Sequence, residues 1–226
     1  MDYGEGKKIT HTKIMQKIDL FSSPIYKTKI SPDSYNKEQL IKEIQKNYEL
    51  DPNRNIWDND SDLHHYYGDW VNPNFNPVDI DKLLGEYNTK IFEFMGNFPF
   101  SKETKCSWCL LNISASKTNQ FMRSHYHEDT FYSGIHYISL KEGHSTTTFH
   151  NPLIVGQYDN TWSHVRPFIR DTAENSSYFE EWNLHVEEDD FILFPSYLKH
   201  GVKRNKENDN LRITTSVGIK LQESSS

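Results

Sequence analysis

The feature that most constrains this chain is a succession of short β-like runs that fills its second half. From about residue 105 they fall near 105–114, 120–127, 132–140, 145–150, 183–187, 190–195, 199–204 and 210–221, separated by turn-forming residues. Short strands in such a series close into a sandwich or barrel, and a jelly roll is one of the closed solutions. With 226 residues the chain is long enough for one such unit with its own core. Phe, Tyr and Trp make up 14% of it and compensate for a modest apolar content of 35%, because each aromatic side chain buries a large area. The expected organisation is therefore a single domain over 1–226. Residues 1–104 form a helical and loop support, and residues 105–221 form the β core, interrupted by an insert at 152–182.

The first half carries fewer periodic signals. Ile18 to Tyr26 reads as short strands around Pro24. Ser31-Pro32 opens a helix with a hydroxyl cap and a proline in the first turn, and Leu40, Ile41, Ile44 and Tyr48 follow at helical spacing. Residues 51–76 show no clean period and read as loop. A second helix opens at Asn76-Pro77; Ile80, Leu83, Leu84, Tyr87, Ile91, Phe92 and Met95 keep to one stripe, and Gly96 stops it. The insert at 152–182 is rich in aromatics and carries Arg166 and Arg170. A long loop of that kind is expected to serve the site, as a lid over it.

Several function classes are disfavoured early. A net charge of −7 with only short basic runs argues against a nucleic-acid surface built on charge. No apolar run approaches the roughly 18–20 residues needed to cross a bilayer, and the N-terminus lacks a signal-peptide pattern, so a cytoplasmic protein is expected. Only two cysteines are present, Cys106 and Cys109, so a disulfide framework is out. On a strand, residues three apart point to opposite faces, so these two read as buried strand cysteines rather than a redox or zinc motif.

The stretch richest in chemistry is Ser124-His125-Tyr126-His127-Glu128-Asp129. On an extended segment positions 125, 127 and 129 share a face, so two imidazoles and a carboxylate project together. His200, just after the strand-like Phe191-Ile192-Leu193-Phe194, is the best third donor. Two histidines and a carboxylate on one face of a metal form the facial triad of non-haem Fe(II) oxygenases, whereas three histidines make a less selective site. The preferred ligand set is His127, Asp129 and His200, with His125 as the rival ligand. The remaining histidines, His136 and His150 among them, carry no assigned role. Arg212-Ile213-Thr214 lies on what should be the next strand, with 212, 214 and 216 on one face. A guanidinium there presents a rigid fork to a carboxylate, and burying it without an anion would be expensive.

These residues resemble the Fe(II)- and 2-oxoglutarate-dependent oxygenases, in particular the branch found in bacteria and tailed phages. The matching segments are Leu20 to Tyr26, Asn112, His125-x-His127, Ser133 to Ile138, Phe149-His150-Asn151-Pro152, Leu193 to Val202 and Arg212-Ile213-Thr214, in that order along nearly the whole chain. The resemblance implies a mainly β double-stranded β-helix, a jelly roll, with flanking N-terminal α-helices. It implies Fe(II) as cofactor and 2-oxoglutarate as cosubstrate. Arg212 and Thr214 would hold the far carboxylate, and Asn112 and Tyr137 would line the cosubstrate pocket. The implied reaction is hydroxylation of a C–H bond with release of succinate and CO2. That branch emphasises His-x-His, which keeps His125 in play, while the spacing from His127 to Ile135 resembles that of lysyl hydroxylases, which use His-x-Asp. The substrate class spans small molecules, amino acids and peptides, and the oligomeric state is open, a homodimer included. The alternatives are a cupin-like Zn or Mn protein and a non-catalytic jelly-roll binding module.

Overall fold

The structure, a computed structural model, describes residues 23–50, 64–67, 77, 79–98, 104–153, 164, 166–206 and 210–223. Among the described residues ten strands form two antiparallel sheets. The larger is built from β1 (Tyr26–Lys29), β2 (His64–Tyr67), β3 (Thr104–Ser116), β5 (Tyr132–Ser139), β8 (Asp190–Pro195) and β10 (Arg212–Glu223), in the order β1-β8-β5-β10-β3-β2. The smaller holds β4 (Met122–His125), β6 (Thr147–His150), β7 (Glu181–Asn183) and β9 (His200–Val202), in the order β4-β9-β6-β7. The chain passes back and forth between the sheets, which is the jelly-roll arrangement expected from the strand series.

Two helices, α1 (Lys37–Leu50) and α2 (Ile80–Met95), lie on the outer face of the larger sheet. Their apolar stripes, Leu40, Ile44 and Tyr48 on α1 and Leu83, Tyr87 and Ile91 on α2, share one core with Ile113, Ile138, Phe191, Ile213 and Val217. A second core fills the space between the sheets, made by Ile135, Tyr137, Phe149, Ile192, Phe194 and Leu198. The central strand β5 is therefore covered on both faces and buried along its whole length. Side chains alternate along it, so Ile135 and Tyr137 enter the inter-sheet core while Ile138 joins the helical layer.

His136 also faces the helices. Its Nδ1 lies 2.8 Å from the Tyr87 hydroxyl, which in turn lies 2.6 Å from Thr215 Oγ1. The histidine is structural: a buried strand position that α2 covers with a tyrosine.

Gly134 on β5 marks a close approach. A Cβ there would meet Val217 Cγ2 at 2.7 Å and Leu193 Cδ2 at 2.8 Å. Gly134→Ala is expected to overpack the core by about 1–3 kcal/mol, lowering the thermal midpoint by several degrees in a melt. An unchanged midpoint would show that the neighbouring side chains give way freely.

Some expectations need correction. The first helix begins at Lys37, after a separate 3-10 turn at Pro32–Ser34 that takes the Ser31 cap. The stretch 51–76, read as loop, contains β2, which pairs with β3. Cys106 and Cys109 do lie on one strand, but neither is buried: Cys106 is half-buried and Cys109 exposed. The expected strand at 18–22 and most of 152–163 lie outside the described residues.

Candidate metal centre and cosubstrate pocket

Three segments bring imidazoles together at one end of the jelly roll. His125 ends β4 and His200 starts β9, and the two stand opposite each other in the ladder. His127 follows in the loop after β4, where its backbone N–H donates to the Ser196 carbonyl in the turn before His200. One ligand nitrogen from each of His125, His127 and His200 lies within 4.8 Å of the other two. The ring centroids are 4.5 Å apart for His125 and His200, 5.1 Å for His125 and His127, and 5.4 Å for His127 and His200.

The chemistry of these donors suits a metal. His200 Nδ1 donates to the Leu198 carbonyl at 2.8 Å, and His125 Nδ1 to the Arg123 carbonyl at 2.9 Å. A carbonyl can only accept, so both rings carry their proton on Nδ1 and present the Nε2 lone pair. Burial, with His125 nearby, lowers the pKa of His127 to about 4, and burial lowers that of His200 to about 3. At neutral pH both are unprotonated and able to bind a metal.

Asp129 stands elsewhere. It is exposed, and among the described residues the group able to hold a metal comprises the three imidazoles without it. The physical reason is the end of the strand. β4 stops at His125, and Glu128 and Asp129 lie in a bend, so alternation no longer sets which way residue 129 points.

Arg212 opens β10, pairing with Ser116 on β3, and Thr214 pairs with Ser114 on β3 and Tyr137 on β5. Residues 212, 214 and 216 share a face, and with Asn112 and Ser114 they line the same pocket as the three histidines. Arg212 is 2% exposed. Its Nε donates to the Ser145 carbonyl at 2.8 Å, and Nη1 lies 3.4 Å from Thr214 Oγ1. Among the described residues no carboxylate lies within ion-pair distance of it. Burial lowers its pKa, which the Tyr137 hydroxyl opposes, but a guanidinium stays charged.

Tyr137 is fully buried behind this pocket rather than lining it. Its ring centroid lies 5.7 Å from the guanidinium carbon, and its hydroxyl is 2.6 Å from Thr147 Oγ1. Thr147 itself lines the pocket, as does Ser133, whose hydroxyl lies 2.8 Å from Ser196 Oγ. Nothing local in the sequence singles out these two hydroxyl residues: Thr147 sits between Thr146 and Thr148, and Ser133 between Tyr132 and Gly134.

The buried histidines make a pH prediction. In metal-free protein, His136 and His200 have pKa values near 3, lowered chiefly by burial, against the ordinary 6.5 of an unfolded chain. As pH falls below 6.5 the unfolded state binds protons that the native state does not. Stability should fall toward pH 4, each group contributing a slope of about 1.4 kcal/mol per pH unit. Urea unfolding of chelated protein at pH 7.5 and 5.0 measures this, and an unchanged free energy would contradict it.

A double-stranded β-helix with a cluster of metal-competent imidazoles and a buried guanidinium in one pocket defines a class: jelly-roll proteins equipped to hold a metal beside an anionic small molecule. Residues 107–218 match the family model described as "Putative 2OG-Fe(II) oxygenase", and this part of the chain belongs to the 2OG-Fe(II) oxygenase family. Fe(II) and 2-oxoglutarate are accordingly its cofactor and cosubstrate. A prolyl-4-hydroxylase from Pseudomonas putida superposes with a TM-score of 0.50 at 9% identity, covering 88% of this chain and 93% of that one. AviO1 from Streptomyces viridochromogenes Tue57 superposes with a TM-score of 0.50 at 11% identity, covering 88% and 90%. At such identities the likeness is one of fold. Among curated proteins no sequence matches the chain. No helix among the described residues is long and apolar enough to cross a membrane.

Proposed function

We propose that the protein is a 2-oxoglutarate-dependent dioxygenase that hydroxylates a C–H bond, with His125, His127 and His200 as its iron ligands. The observation that carries this reading is the presence, in one pocket, of three converging imidazoles and a buried arginine with no carboxylate partner among the described residues. Fe(II) and 2-oxoglutarate, when bound, supply the activation of dioxygen, so that substrate C–H, dioxygen and 2-oxoglutarate yield C–OH, succinate and CO2.

The chain's own residues supply position and charge. The three imidazoles would hold the metal from one side and would leave room beside it for an anionic cosubstrate. They are neutral, so the ion keeps its full charge, which suits a dianionic cosubstrate. Arg212 offers two-pronged hydrogen bonding to the distal carboxylate, and Thr214 a hydroxyl beside it. Tyr137 backs the guanidinium with an aromatic face, a favourable arrangement for a desolvated cation. Asn112 is steered by Ser114, whose hydroxyl donates to its Oδ1 at 2.9 Å, on the pocket wall between the two ends.

A cupin-like reading has one observation in its favour, since an all-histidine set also suits Zn or Mn. Arg212 weighs against it, because such a protein has no use for a buried cation that finds no carboxylate among the described residues. The substrate of the oxygenase is a small molecule, amino acid or peptide. Succinate formation from 2-oxoglutarate, dependent on both oxygen and Fe(II), tests the reading. Its absence in folded, iron-loaded protein across a panel of these substrates would overturn it.

A further inference from the structure

We propose that His150 is a positioning residue for the metal centre: it ties β4, which carries His125, across β9 to β6 by accepting a hydrogen bond from Ser124. The inference rests on the three-histidine reading above and deepens it.

The strand that carries His125 is poorly held by its own ladder. Among the described residues β4 pairs only with β9, and the register between Met122↔Val202 and His125↔His200 is irregular. A ladder this short does not by itself fix how β4 is rotated. Another contact must set the spacing between the His125 and His200 rings.

That contact lies on the face of the small sheet away from the pocket. Phe149 on β6 enters the inter-sheet core, where its ring lies 5.9 Å from that of His200, so His150 points outward. The Ser124 hydroxyl lies 2.6 Å from His150 Nε2. His150 Nδ1 faces Glu181 Oε1 on β7 at 3.5 Å, and Glu181 is held by Lys203 at 2.7 Å. With the imidazole proton on the side of that carboxylate, Nε2 is an acceptor and Ser124 the donor.

The clamp spans a strand that is stripped to fit beneath it. Gly201 on β9 pairs with Thr148 on β6, and a Cβ at Gly201 would sit 2.9 Å from both the Met122 carbonyl and Ser124 Oγ, and 3.0 Å from Ser124 Cα. β4 thus rests on a bare glycine face while the serine reaches over it. One strand, β6, touches both ligand elements: Phe149 packs on the His200 ring from inside, and His150 holds the residue next to His125 from outside. A bland cross-strand polar pair would not need this glycine, nor would it join the two ligand strands through a third.

The test uses the full chain, stripped of metal and titrated with Co(II) while the visible absorption of the bound ion is followed. Ser124→Ala and His150→Leu are expected to weaken Co(II) binding by about tenfold to a hundredfold, the range for loss of a group that orients a metal ligand. Both should change the shape of the visible bands. His150→Gln, whose amide oxygen can still accept from Ser124, should recover most of the affinity. The double variant Ser124→Ala/His150→Leu should be no worse than either alone. Thermal melts of the metal-free variants check that each folds, and if His150→Leu does not, Ser124→Ala and His150→Gln carry the comparison. Wild-type affinity and spectra in Ser124→Ala would overturn the proposal while leaving the three-histidine centre intact. Wild-type protein that binds no Co(II) would overturn the centre and the clamp together.

Discussion

Replacing His125 with Ala is expected to abolish high-affinity Fe(II) binding, while Asp129→Asn leaves it within about threefold of wild type. The contrast follows from placement. His125 stands opposite His200 in the β4–β9 ladder and contributes a nitrogen within 4.8 Å of the other two. Asp129 is exposed in the bend beyond the strand. Removing one of three donors should cost more than the roughly 10–100-fold typical of an outer-shell partner. It also leaves the remaining imidazoles no charge to compensate. Anaerobic calorimetry with Fe(II) on both variants makes the measurement. Loss of binding in Asp129→Asn with retention in His125→Ala would restore the two-histidine, one-carboxylate set.

The second large effect concerns Arg212. Arg212→Met should reduce 2-oxoglutarate affinity by about a hundredfold to a thousandfold, the loss of two charge-assisted hydrogen bonds at about 1.5–3 kcal/mol each, less some compensation by water. Its effect on the ligand-free protein should run the other way. The guanidinium is 2% exposed, with no carboxylate among the described residues to neutralise it. Replacing a buried, unpaired charge with an apolar side chain of similar length is neutral or stabilising. Calorimetry with 2-oxoglutarate and a melt of the ligand-free protein should therefore separate, affinity falling while the midpoint holds or rises. Arg212→Lys should not restore affinity, because an ammonium lacks the planar fork. A variant that loses stability in step with affinity would mean that Arg212 is structural.

How far the sequence carried the account depends on where period-2 alternation applies. In β10 the strand runs unbroken through Arg212, Thr214 and Ser216, so the shared face of these residues was legible before any coordinates. The jelly-roll core was legible from a different signal, the series of short runs each bounded by turn-forming residues. Alternation failed at Asp129, where the strand had already ended at His125. β2 escaped notice because it is a four-residue edge strand inside a stretch without a hydrophobic period. Tyr137 was expected to line the pocket on the strength of the resemblance alone; a residue on the inner face of β5 can line a pocket or back it, and only packing decides between them. The partnership of Ser124 with His150 joins positions 26 residues apart on strands that are not neighbours, a relation invisible to local pattern.

The central claim is that the imidazole cluster and Arg212 act on one iron and one 2-oxoglutarate. Its most direct test is the visible spectrum of anaerobic protein to which Fe(II) and then 2-oxoglutarate are added. A weak charge-transfer band should appear only when both are present, vanish in His200→Ala, and in Arg212→Met demand far more 2-oxoglutarate to form. Folded wild-type protein that binds Fe(II) and develops no such band at saturating 2-oxoglutarate would contradict it.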